Sequence, residues 1–191
     1  MATTLKPLHD YDPHDVINLF SWSGAVPATK GLMVKIATAT GFQAGAADPV
    51  EMFGAAGSAY GNTVSQRYRT QAQVVACTSG SAGVKDIPLG MLLYDVRETD
   101  ENGEKLLYHP RKAAENDWVI SGQACPVLTR GIVLYSGATL KADALTPGIA
   151  VYAAAGGELA YDAAHAADAP KVGMALGGLS SDGLVMLKIE L

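Results

Sequence analysis

The sequence predicts a mainly β protein: a small β-barrel or sandwich core with long loop insertions and an extended N-terminal arm. Three observations lead there. Short apolar, β-branched runs recur along the chain, divided by Gly, Pro and Asn turn signals at roughly the eight-to-twelve-residue spacing of barrels and sandwiches. The last run shows the period of a strand buried on one face, with Val185, Leu187, Ile189 and Leu191 alternating with Met186, Lys188 and Glu190. Gly- and Ala-rich stretches with few charges lie between the runs and read as insertions.

Taken in order, residues 1–14 form a polar arm marked by Pro7 and Pro13, too short to fold alone and expected to lie on a neighbour or stay mobile. DVINLF (15–20) and GLMVKIATA (31–39) are strand candidates. Residues 40–62 read as a long loop, within which Asp48-Pro49-Val50-Glu51 has the order of an N-cap, a first-turn proline and a glutamate that would support one helical turn. TVSQRYR (63–69) and QAQVVAC (71–77) continue the β pattern, and IPLGMLLYDVRE (87–98) begins a strand that meets Asn102-Gly103, the strongest hairpin signal in the chain. EKLLYH (104–109) would return antiparallel, and Pro110 would open a short helix through Ala114. Residues 23–34 weakly echo 121–133, which fits shared turn chemistry better than a true repeat. Thr146-Pro147-Gly148 supplies a turn, and Gly156-Gly157 supplies the positive-φ positions of a hairpin between IAVYAA and ELAYD.

The domains expected are 1–20, the arm and first strand; 21–130, a β-rich part with the long loop and an exposed hairpin; and 131–191, the C-terminal barrel portion, able to be continuous with 21–130. At 191 residues the chain is long enough to bury about 70% of its unfolded surface without staples. Charged residues are 17% of the chain, against about 25% for average soluble proteins, a composition suited to packing against other proteins. The net charge of −5 supplies no basic footprint, so neither nucleic acid nor an anionic membrane is an expected partner. No apolar run reaches the ~18 residues of a membrane span, and the first residues lack the apolar core of a signal peptide, which points to the cytoplasm or a particle assembled there. Cys77 and Cys125 read as buried thiols; a disulfide is the alternative, which a reducing compartment disfavours.

Catalytic chemistry finds no foothold in the motifs. The four histidines stand outside metal-binding spacings, and His165 between Asp162 and Asp168 has no HxxxH or CxxC partner to complete a ligand set. TSGSAG and GLSSDG lack the Gly-x-Ser-x-Gly elbow, and no phosphate-cradling glycine loop occurs. The carboxylates Glu98, Asp100, Glu101 and Glu104 read as a solvated tip. Trp22 and Trp118 read as core anchors, with partner contact as the alternative. No enzyme activity, cofactor or metal is expected.

Over residues 131–191 the order Pro-Gly, strand, Gly-Gly, strand, Ala-rich loop, Val-Gly-Met-Ala, Asp-Gly, terminal strand resembles the small β-barrel of tailed-bacteriophage capsid decoration (cement) proteins. The resemblance implies a virion structural protein on the exterior of the expanded phage head, assembled in the host cytoplasm, whose partners are the major capsid protein and itself, as a homotrimer. It does not extend to the arm at 1–20 or the loop at 41–62. Those segments are expected to carry the contacts because they combine reach with little charge, through Tyr11, Val16, Phe20, Trp22, Phe42, Met52, Phe53 and Tyr60. The rival reading is a receptor- or carbohydrate-binding module of a head fibre or tail, and a weaker one is a small hydrolase whose site assembles from distant residues.

Overall fold

The structure is a computed structural model, and it describes residues 4–8, 10–37, 73–78, 86–137, 140, 145–161 and 169–191. Thirteen strands run through the described residues. The first five are β1 (Thr4–Pro7), β2 (Val16–Trp22), β3 (Met33–Ile36), β4 (Gln73–Ala76) and β5 (Gly90–Leu92). After β6 (Asp95–Arg97) come a 3-10 turn (Leu106–Tyr108), helix α1 (Pro110–Glu115) and β7 (Trp118–Ile120). The chain continues through β8 (Ala124–Leu128), β9 (Arg130–Ser136), β10 (Ala150–Ala153), β11 (Leu159–Ala160), β12 (Lys171–Ala175) and β13 (Val185–Glu190).

The protein is mainly β, as its sequence predicts, and contains a closed five-stranded barrel in the order β2-β4-β3-β5-β8. β2 and β4 pair in parallel and every other neighbour is antiparallel. Against the barrel lies a six-stranded sheet in the order β1-β9-β13-β12-β10-β11. Successive side chains on a strand point to opposite faces, so the barrel strands serve two cores. Val34, Leu92 and Val127 point into the barrel with Phe20, Trp22, Val74 and Cys125. Their chain neighbours Met33, Met91 and Leu128 point the other way, into the core shared with Leu5, Val133, Tyr135, Val151, Leu187 and Ile189 of the sheet. A wall buried on both faces must be apolar at consecutive positions, which is why LMV, GMLL and PVL lack the polar alternation of the last strand.

Several expectations are corrected. The barrel is built from residues 16–128, whereas 131–191 form the open sheet. In β13, Val185, Leu187 and Ile189 are buried as expected, but the strand ends at Glu190 and Leu191 is 44% exposed. Part of the arm belongs to the chain's own fold. Its residues 4–7 are the edge strand of the sheet, Leu5 opposite Tyr135 and only 1% exposed, with Pro7 at the edge where a missing N–H is tolerated. The run at 87–98 breaks after Leu92, and β6 pairs in parallel with β7. The Asn102-Gly103 turn forms with Gly103 at φ 83°, yet the return is a single Thr99–Lys105 bridge. Burial of Leu106 favours the 3-10 turn there over a strand, and α1 follows at Pro110 as expected.

The hairpin between β10 and β11 turns at Gly156 and Gly157, with φ of 73° and 79°. Gly157 donates its N–H to the Cys77 carbonyl at 2.8 Å, so the hairpin tip rests on the barrel wall. In the echo, Pro126 lies inside β8 while Pro27 lies in a turn after a cis peptide bond, so the two segments do not occupy equivalent places. Both cysteines are buried and free. The helical turn at 48–51, TVSQRYR at 63–69, His9, and the trio Asp162, His165 and Asp168 lie outside the described residues.

Candidate interaction surfaces

Of the expected contact residues, Phe20 and Trp22 are buried and Tyr11 and Val16 are half-buried. Tyr11 packs against the shared core and donates its hydroxyl to the Ile132 carbonyl at 3.0 Å, with burial pushing its phenol pKa up. Val16 packs against the same core. Phe20 and Trp22 are 9% and 6% exposed in the barrel interior, and the Trp22 indole N–H donates to the Ala25 carbonyl at 3.0 Å. Phe20 and Trp22 give their apolar surface to the barrel core, which corrects their assignment to an interface and agrees with the core-anchor reading of Trp22, while Tyr11 and Val16 are half-buried against the shared core. Phe42, Met52, Phe53 and Tyr60 lie outside the described residues.

Large apolar side chains are exposed elsewhere. Leu19, Ile36 and Ile87 are 69%, 45% and 85% exposed. Ser21 is level with Gln73 and Ile36 with Val74, so Leu19 and Ile36 lie toward one end of the barrel, while Ile87 follows Asp86 beside β3. The Ala37 N–H donates to the Gln73 carbonyl at 2.9 Å, so residues 38–72 leave from and return to this same end. Leu19 points out because the β2–β8 register shifts between Ile17 and Phe20. No periodicity in DVINLF announces that bulge.

A buried ion pair braces the barrel wall where β4 ends. Asp86 accepts from Lys35 Nζ at 2.7 Å through Oδ1, and from the Thr78 N–H at 2.6 Å and hydroxyl at 3.0 Å through Oδ2. Burial alone would raise the Asp86 pKa, but the hydrogen bonds from Lys35 and Thr78 outweigh it and hold the carboxyl below its ordinary value. Burial, reinforced by the Asp86 charge, pushes the Cys77 thiol up to about 12, and burial pushes Cys125 up to about 11.

The second surface is the outer face of the six-stranded sheet. One row runs Lys6, Leu134, Met186, Leu176 across β1, β9, β13 and the end of β12; the next runs Ile132, Lys188, Met174, Ala150. Arg130 and Glu190 stand opposite each other, and Lys171 lines a shallow depression of about 250 Å³ with Met174, Lys188 and Glu190. Gly173 is required here, since a Cβ would run into the Lys188 carbonyl. The strands of this face carry four cations, Lys6, Arg130, Lys171 and Lys188, against one carboxylate. A hydrogen bond from Lys188 is the largest influence holding the Glu190 carboxyl below its ordinary value, with Arg130 and Lys171 adding to it.

The third surface is the excursion from Tyr94 to Asp117. Asp100 organises it, accepting the Asn102 and Glu104 N–H groups at 2.8 and 2.9 Å and Lys112 Nζ at 2.7 Å. The Lys112 hydrogen bond is the main reason its pKa falls to about 2, and the backbone donors add to it. Arg97 stacks over Trp118 at 4.5 Å. Outside this framework Tyr108 is 73% exposed, with Leu107 and Tyr94 each 39% exposed. Six carboxylates and three Lys or Arg lie between residues 98 and 117.

A groove of about 700 Å³ separates the turn after β2 from the β10–β11 hairpin, with Pro27, Leu32, Val75 and Gly156 in its walls and Thr78 and Glu158 as polar groups. The indole of Trp22 is too deeply buried to offer a stacking platform there. Among the described residues, no three His, Cys, Asp or Glu converge as metal ligands. No protein-family model, no curated protein and no solved structure matches this chain.

Proposed function

We propose that this protein is a capsid decoration protein, which binds the outside of an expanded phage head and braces it by bridging major capsid subunits. The carrying observation is the exposed apolar surface of the barrel strands and their flanks, where Leu19, Ile36 and Ile87 stand in water. Three large aliphatic side chains in water, on a protein that already closes two cores of its own, mark a surface suited to a protein partner. In this reading that surface faces the capsid, together with the segment carrying Phe42, Met52, Phe53 and Tyr60.

The mechanism is multivalent. Each copy contributes modest apolar contacts, and a self-associated unit, a homotrimer in this reading, grips several capsid subunits at once. The second and third contacts then form at high effective concentration. A protein that binds only the assembled head stabilises it by mass action, so the gain saturates when the sites are filled.

The test compares heads stripped of the protein with heads to which it is restored. Restored heads should rupture at a higher temperature, with the gain saturating as protein is added. Equal rupture temperatures, with the protein recovered from tails or fibres in few copies, would replace this reading with that of a receptor- or carbohydrate-binding module.

A further inference from the structure

We infer that the outer face of the six-stranded sheet of one copy docks on the acidic excursion of a second copy, in a head-to-tail contact. Two surfaces of the same chain are complementary. The sheet face has an apolar centre of Leu134, Met186, Leu176 and Met174, and its four cations exceed its one carboxylate by three. The excursion has an apolar centre of Leu107 and Tyr108, and its seven carboxylates exceed its four Lys or Arg by three. Each surface therefore offers the other an apolar patch with a rim of opposite charge, the usual anatomy of a protein interface.

The signs also exclude contacts of like surface with like surface. A two-fold contact that paired sheet face with sheet face would set two positive surpluses against each other, and one that paired excursion with excursion would do the same with negative ones. The heterologous contact avoids both. Repeated by rotation, it closes into a ring, or it grows into a filament when the rotation does not close. Tyr108 fits the anchor role, since a tyrosine buries a large ring at low conformational cost and keeps a hydroxyl for the partner. The inference rests on the self-association in the preceding reading and specifies its surfaces. Its test uses the protein alone, without heads, so its failure removes this interface and leaves the capsid measurement to judge the other.

The experiment is sedimentation of the full chain at micromolar concentration. The wild type should exceed the monomer mass. Lys6→Glu with Lys171→Glu reverses the face, and Glu98→Lys with Glu104→Lys reverses the excursion; each pair should weaken association by about tenfold or more. All four changes in one chain restore opposite signs and should restore the mass. All four side chains are exposed, so circular dichroism and the thermal melt should match the wild type. A monomeric wild type would overturn the inference. So would reversed pairs that associate as before, or a folded four-site variant that stays dissociated.

Discussion

Met33 and Val34 are neighbours in β3, both fully buried, and they belong to different cores: Met33 packs against the sheet and Val34 fills the barrel. The peptide between them is the partition between the two apolar compartments. Because β5 and β8 repeat the arrangement at Met91–Leu92 and Val127–Leu128, barrel and sheet share a wall and should unfold together.

Leu187 tests that shared core. It is fully buried, and Leu187→Ala should lower stability by ~2–5 kcal/mol through loss of transfer energy and the cavity left behind. Its neighbour Met186 faces solvent, and Met186→Ala should stay within about 0.5 kcal/mol. Denaturant titration of the two variants measures the difference, and equal midpoints would contradict the inward assignment of Leu187.

The arm should behave as part of the fold. Leu5 lies in the core opposite Tyr135, so Leu5→Ala or removal of residues 1–14 should lower the melting temperature of the protein by itself. An arm that served only as a tether would leave the melt unchanged.

Acid should weaken the protein through Asp86 and Asp100. Both carboxyls have folded pKa values below the ordinary 3.8, so the folded state favours the ionised form. That stabilisation is fully present above the unfolded pKa and is lost as the pH falls through the folded value, from about 4 toward 2 for Asp100. Asp100→Asn should lower stability at neutral pH and flatten its slope in the acid range. A variant with the wild-type slope would remove Asp100 from the account.

Neither cysteine should react in the folded state. With pKa values pushed to about 12 and about 11, the buried thiols hold almost no thiolate at neutral pH. A thiol reagent should label neither until denaturant is added, then both. Reducing agent should leave the melting temperature unchanged, since the thiols are free.

Attachment to heads should depend on the exposed apolar surface of the barrel. Leu19→Asp with Ile87→Asp places charge where apolar contact is proposed, and it should abolish binding to stripped heads while leaving the melt close to wild type. Binding that survives would move the capsid-facing surface elsewhere.

Local geometry is legible in the chain itself. The alternation from Val185 to Ile189 set the inward face of β13, Gly156-Gly157 set the hairpin between β10 and β11, and Pro110 set the start of α1. Each depends on residues within one or two turns of one another, where period and φ preference act directly. Long-range pairing set the rest: the barrel forms from residues 16–128, Leu5 is drawn into the sheet, and Phe20 points inward while Leu19 points out. The reason is pairing between distant strands. β1 is held by β9, and the β2–β8 bulge turns Leu19 outward. An apolar run shows that a strand is buried; its partners, more than a hundred residues away, determine which core receives each face.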